Sequence, residues 1–232
     1  MINLKTLFKN HFDTKEISDD NMRKFAEVHI QRLSANNGGG AFTAMITATT
    51  TAYTNYFGSM TDEATKSAVK EGLTITLNTA VETFKKAISQ KEGIIRGNFD
   101  RGSSKYQEFF PLGVTEYTTA TLANIEVLMQ RFADMAATYE PELGPEFKDE
   151  FIGYLNAFKD ARTAQLQKIG EVSESKTDTT TKRDSVENEL HKNLHSIAAM
   201  FPGDVDRCMD FFDQSFIKTE TDGEEEEEEP LP

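Results

Sequence analysis

Several residue types and patterns are scarce in this chain of 232 residues, and each absence excludes something. Tryptophan is missing, and the single cysteine, Cys208, cannot form a disulfide within the chain. One cysteine is typical of a reducing compartment, so we expect a cytoplasmic protein. No apolar run approaches the ~20 residues that span a bilayer. The residues after Met1 also lack the apolar stretch of a secretory signal, so we expect no membrane association.

Basic residues are fewer than acidic residues in this chain. The chain has 25 Lys and Arg against 39 Asp and Glu, which gives a net charge of −14. Eight of the acidic residues and none of the basic ones fall in the tail from Thr219 to Pro232, so the rest of the chain carries only −6. We expect this acidic tail to be disordered. We expect neither nucleic acid nor an anionic membrane as a partner, because phosphate groups would be repelled.

What the chain does contain is bulky apolar residues at helical spacing. Seventeen Phe and eight Met supply core material, and apolar positions recur every three to four residues. The segment 41–57 is rich in threonine, which favours strands, but its apolar spacing favours a helix. We predict a break at Gly58-Ser59 and a break or a distorted helix in the polar stretch that contains Gly93, Gly97 and Gly102. The segment 171–182 stays open between loop and helix. The predicted helices cover approximately 18–33, 41–57, 63–95, 114–139, 145–169, 186–201 and 205–216.

This pattern predicts an all-α fold, an up-and-down antiparallel helical bundle. We divide the chain into an N-terminal helical arm with a glycine-rich hinge (1–40), a helical bundle (41–218) and the disordered acidic tail (219–232). The arm has its own apolar stripe, which must be covered by its own chain or by another copy.

A weak internal similarity suggests duplication of a helix pair. The segment 69–78 resembles 147–156 at an offset of 78 residues, and Phe-Pro pairs follow at 110–111 and 201–202. The half-repeats would be 41–111 and 112–218. Amphipathic helices resemble one another through their shared period, so duplication and chance similarity stay open as alternatives.

The candidate metal ligands are Glu187, His191 and His195, spaced to share one helix face. The spacing differs from the zinc-protease motif, because Lys192 stands where that motif has its glutamate. The three residues also flank an apolar stripe, as residues at a solvated helix edge do. No Glu-x-x-His pair occurs, which disfavours a di-iron carboxylate site. We therefore predict no metal, no cofactor and no catalytic residues.

Two further features have a plainer interpretation than a reactive site. Cys208 has Arg207 beside it, but three nearby aspartates oppose a lowered thiol pKa. The run from Asn36 to Gly40 lacks the Gly-Lys-Ser/Thr ending of a phosphate-binding loop, so we interpret it as a hinge.

The sequence thus predicts a non-enzymatic structural, scaffolding or assembly protein that acts through helix faces on a protein partner or on another copy of itself. Two alternatives stay open. One is a ligand- or metal-binding bundle, enzymatic or not, with an interior cavity lined by Phe and Tyr. The other is a regulatory adaptor whose acidic tail binds a basic partner.

Overall fold

The computed structural model describes residues 4–217, and the predicted acidic tail lies outside them. Every regular element in that range is a helix, which confirms the all-α class. The chain divides into two compact units. Unit 1 consists of Met1–Ala64 with Ser173–Pro232, and unit 2 is Thr65–Val172. This division follows neither the predicted half-repeats nor the boundary at residue 40.

Two helices of 56 residues each contribute to both units. In chain order the helices are α1 (Leu4–Leu7), α2 (Asp19–Ala35), α3 (Thr43–Asn98), α4 (Ser104–Phe109), α5 (Thr115–Thr118), α6 (Ile125–Thr138), α7 (Glu140–Leu143), α8 (Pro145–Met200), α9 (Val205–Met209) and a 3₁₀ turn (Gln214–Phe216).

Unit 1 buries the apolar stripe of the N-terminal arm. Ser18 caps α2 by accepting a hydrogen bond from the Asn21 backbone N–H, and Asp20 lies in the first turn, where the helix dipole favours negative charge. Met22, Phe25 and Leu33 are almost fully buried, in one cluster with residues of α3, α8 and the segment after α9. The arm is therefore covered within its own chain.

The glycine-rich segment between α2 and α3 forms a hydrogen-bonded turn. The Asn37 side chain accepts from the Phe42 N–H at 2.8 Å, and the Gly40 N–H donates to the Asn37 carbonyl at 2.9 Å. Gly40 has φ 77°, a left-handed conformation that favours glycine. Flexibility of this segment stays a prediction.

Unit 2 has an aromatic core. Phe132 contacts Phe151 with ring centroids 4.3 Å apart, and Phe84 meets both rings edge-on, a geometry that aromatic pairs prefer. The Tyr117 hydroxyl donates to the Phe109 carbonyl at 2.6 Å. The sequence places Phe132, Phe151 and Leu155 mid-stripe, and all three are buried.

The predicted break at Gly58-Ser59 is wrong, because α3 continues through it. Ser59 is buried and its hydroxyl donates to the Tyr56 carbonyl at 2.7 Å, which satisfies the side chain without leaving the helix. The open segment 171–182 is also helical, as part of α8. Its threonines likewise bond back by one turn, as Thr179 does to the Ser175 carbonyl.

The predicted helix at 114–139 is wrong in its first half. Only the short α5 and then α6 form, with turns between them. Asn124 explains the break: its side-chain oxygen accepts from the Thr121 N–H at 2.8 Å. Asparagine competes for backbone groups in this way, and so favours turns over helix interiors.

Candidate functional site

A buried polar network joins four segments of unit 1. His29 of α2, Thr49 of α3 and Asn193 of α8 are each at most 1% exposed. The His29 Nδ1–H donates to the Phe211 carbonyl at 2.9 Å, and Nε2 accepts from the Asn193 amide at 3.1 Å. The same amide nitrogen donates to the Thr49 hydroxyl at 2.7 Å. These bonds fix one neutral tautomer of the imidazole.

The His29 ring is held away from water. It stacks on Phe212 with centroids 4.6 Å apart. Burial lowers the pKa of His29 to about 4, although its hydrogen bond to Phe211 acts in the opposite direction. Since a buried imidazolium would lack hydration, the network requires the neutral ring.

A second polar cluster is centred on Arg183. Its Nε donates to Glu187 at 2.6 Å and its Nη1 to Asp19 at 2.8 Å, and Nη2 donates to the carbonyls of Thr14 and Ile17. Burial raises the pKa of the Glu187 carboxyl, and the contact with Arg183 offsets this in part.

Tyr56 completes this cluster. Its hydroxyl donates to the Asp19 side chain at 2.8 Å, and burial raises its pKa. All these polar atoms therefore have partners that connect the start of α2 to α3 and α8.

The structure separates the three candidate metal ligands. Glu187 is bound to Arg183, whereas His191 and His195 contact each other with ring centroids 4.6 Å apart. In residues 4–217 no group of three or more His, Cys, Asp or Glu side chains is arranged to hold a metal ion. The histidine pair is therefore separate from the Arg183 cluster, to which Glu187 belongs.

The N-terminal segment approaches the histidine pair through Phe8, and both Phe8 and His195 are exposed. The Phe8 ring is 6.3 Å from the His195 ring. Burial lowers the pKa of His191, and the charges of His195 and His11 lower it further. His191 Nδ1 is buried and has no hydrogen-bond partner among the described residues.

The outer face of α6 in unit 2 leaves apolar side chains in solvent. Val127 is 71% exposed and Leu122 is 45% exposed. Together with Ala123 and Met135 they line a shallow depression whose rim includes Glu126 and Asp134. We call these six residues the α6 face.

Sequence reasoning missed the His29 network, although the sequence contains an indication of it. A histidine within the stripe of Met22, Phe25 and Leu33 is a polar residue at a buried position. Asn193 similarly lies between the buried Leu190 and Ile197 of α8. Such positions imply partners, but their identity depends on which helices pack together.

No known protein family, no curated protein and no solved structure matches this chain. Within residues 4–217, none of the helices combines the length and the apolar character needed to cross a membrane.

Proposed function

We propose that the protein is a non-enzymatic assembly protein that associates with a second copy of itself, and that the α6 face is the contact surface. The exposed apolar side chains of this face carry the proposal. The opposite side of the same helix, with Leu128, Met129 and Phe132, is buried in unit 2. The solvent side of α6 carries Glu126, Gln130 and Asp134, as is usual for a surface helix. Val127 is a large apolar side chain exposed among them.

The charges beside the α6 face suit contact with an identical surface. Glu126 and Asp134 are acidic, and Lys159 lies close by, since its Nζ donates to Gln130 at 2.9 Å. In a two-fold interface the same patch meets itself, so both signs of charge must be present for unlike charges to pair. Pairing of this kind sets orientation more than it adds affinity.

The polar clusters support a structural role for unit 1. The His29 network and the Arg183 cluster connect α2, α3 and α8 through hydrogen bonds within the unit. Burial favours neutral forms of His29 and Glu187, and both side chains are engaged by neighbours. Groups held in this way stabilise one arrangement of helices.

The ligand-binding alternative would use the aromatic residues of unit 2, but Phe84, Phe132 and Phe151 pack against one another. The adaptor alternative depends on the tail, outside residues 4–217. The antiparallel bundle topology and the duplication of a helix pair stay predictions within this proposal.

Light scattering of the full chain over a range of concentrations tests the proposal. We expect wild-type protein to approach the mass of a dimer, and Val127→Glu to reduce that association at least tenfold, because a buried unpaired charge opposes contact. Val205→Glu is the matched control, since Val205 is 68% exposed and lies in unit 1. Wild-type protein that stays monomeric throughout, or an equal effect of both variants, would reject the α6 face as a self-association surface.

A further inference from the structure

Residues 4–17, which we call the N-terminal strap, are held against α8 in unit 1. Phe12 and Ile17 are buried in the core of the unit, where Phe12 contacts Phe25 with centroids 5.5 Å apart. Arg183 donates to two strap carbonyls, those of Thr14 at 2.9 Å and Ile17 at 2.7 Å. The strap therefore covers apolar surface that would otherwise be exposed.

Three of the four histidines of the chain lie where the strap meets α8. His191 and His195 are one turn apart with their rings perpendicular, at 86°. Phe8 of the strap lies beside His195, and the charge of His11 on the strap acts on His191. His11 itself bonds the Thr6 carbonyl through Nε2 at 2.8 Å. One imidazole of the strap and two of α8 therefore lie in the same region of unit 1.

We propose that the N-terminal strap is an acid-released element, docked while His191 is neutral and freed when His191 becomes protonated. Two features of the contact support this. A proton on the buried Nδ1 of His191 would add an N–H group that has no acceptor among the described residues, which is costly. The imidazoles of His195 and His11 also lie close enough to oppose a positive charge on His191.

Other charged groups near the contact are already engaged or act elsewhere. Glu187 is bound to Arg183, and Lys192 pairs with Glu189 at 3.4 Å. Asp13 and Asp184 act on Glu187. The strap also carries Lys5, Lys9, Lys15 and Glu16. The charges that act on His191 are those of His195 and His11, and both oppose its protonation.

The direction of the pH effect follows from the lowered pKa of His191. The released strap leaves this histidine nearer its ordinary pKa of 6.5, so the released state binds more protons than the docked state. Docking is fully favoured above about pH 7 and weakens as the pH falls through 6.5. The inference is independent of the proposed function, because it concerns unit 1 and not the α6 face.

Hydrogen–deuterium exchange of the full chain at pH 7.5 and pH 5.2, corrected for the intrinsic pH dependence of exchange, tests the proposal. We expect strap peptides to lose protection several-fold at pH 5.2, because release of the strap lets His191 bind a proton that the docked state disfavours. Peptides of α2, which contains His29, should lose the same protection in wild type and in the double variant His191→Gln/His195→Gln. This double variant should keep its strap protected at both pH values.

Lys192→Gln is the control, because it changes a charged side chain on the same helix turn and leaves both imidazoles in place. His11→Gln, at an exposed position, is expected to reduce the loss of protection in part and does not depend on the double variant folding well. Unchanged strap protection at pH 5.2, or the same loss of strap protection in the glutamine variants as in wild type, would each overturn the proposal.

Discussion

At the scale of single residues, unit 1 depends on polar groups that have been removed from water. His29 shows that such burial stabilises the fold only while the imidazole stays neutral. Its ring nitrogens connect Phe211 to Asn193, and it packs flat on Phe212. A buried network with every partner present favours one arrangement of its helices. The same burial makes the arrangement sensitive to any proton that the ring must accept.

We predict that acid destabilises unit 1 through His29. Its pKa is about 4 in the fold against 6.5 when unfolded, so the unfolded chain binds more protons between those values. The neutral His29 ring therefore contributes its full stabilisation above about pH 7. This contribution, about 3 kcal/mol in the free energy of unfolding, is lost as the pH falls towards 4. Urea unfolding of wild type and His29→Gln at pH 7.5 and pH 4.5 measures this loss. Glutamine is the suitable replacement because its amide can donate and accept hydrogen bonds but does not titrate.

The difference in acid-induced loss of stability between wild type and His29→Gln isolates the contribution of His29, because the carboxylates titrate in both proteins. Wild type should lose more stability than His29→Gln on acidification. Parallel losses would show that the His29 ring is hydrated or charged in the fold, contrary to its burial.

At the scale of elements, α3 continues where its sequence suggests a stop. Gly58 lies inside the helix, is exposed, and would have no atom within 4 Å of an added Cβ. Glycine lowers helix stability but does not forbid a helix. The buried faces on either side, with Tyr56 before the glycine and Leu77 after it, favour continuation. Burial thus outweighs the local preference for a break.

We predict that Gly58→Ala stabilises the protein by about 1 kcal/mol, the usual gain for alanine over glycine in a helix. Gly40→Ala is the contrasting variant, because the φ of 77° at Gly40 is strained for alanine, and we expect a loss of about 1 kcal/mol. Thermal unfolding of both variants provides the measurement. A stabilising Gly40→Ala, or a destabilising Gly58→Ala, would contradict the described backbone.

At the scale of the whole molecule, charge opposes association while the α6 face favours it. Each chain carries a net charge of −14, and two such chains repel at long range. The apolar contact of Val127 and Leu122 would depend little on salt at moderate concentration, whereas the repulsion is screened. The balance between them is set by ionic strength.

We therefore predict that self-association strengthens as salt rises from about 0.01 M to about 0.15 M, over which the screening length falls from about 30 Å to about 8 Å. Sedimentation equilibrium at several salt concentrations would show a falling dissociation constant. A dissociation constant that rises with salt would contradict this prediction, because attraction between unlike charges would then outweigh the repulsion between the two net charges.

Sequence reasoning recovered the parts of the fold that depend on local pattern. The helical period correctly predicted α2 with its Ser18 cap, and it placed Phe132 and Phe151 in the core. It failed at Gly58 and at Asn124, where the balance between local preference and packing decides the outcome. The same limit applies to the site. His29 was visible as a polar residue in an apolar stripe, but its partner Asn193 is 164 residues away.

By itself, the sequence determined the helical class, the acidic charge and the separate apolar stripes, because these follow from composition and from a period of 3.6 residues. Only the tertiary structure decided which stripes meet, and therefore that the arm is covered by its own chain. It also decided that Glu187 pairs with Arg183 while His191 faces the N-terminal strap. Residues at i and i+4 share a helix face by geometry alone, but what that face touches depends on long-range packing, which no local spacing encodes.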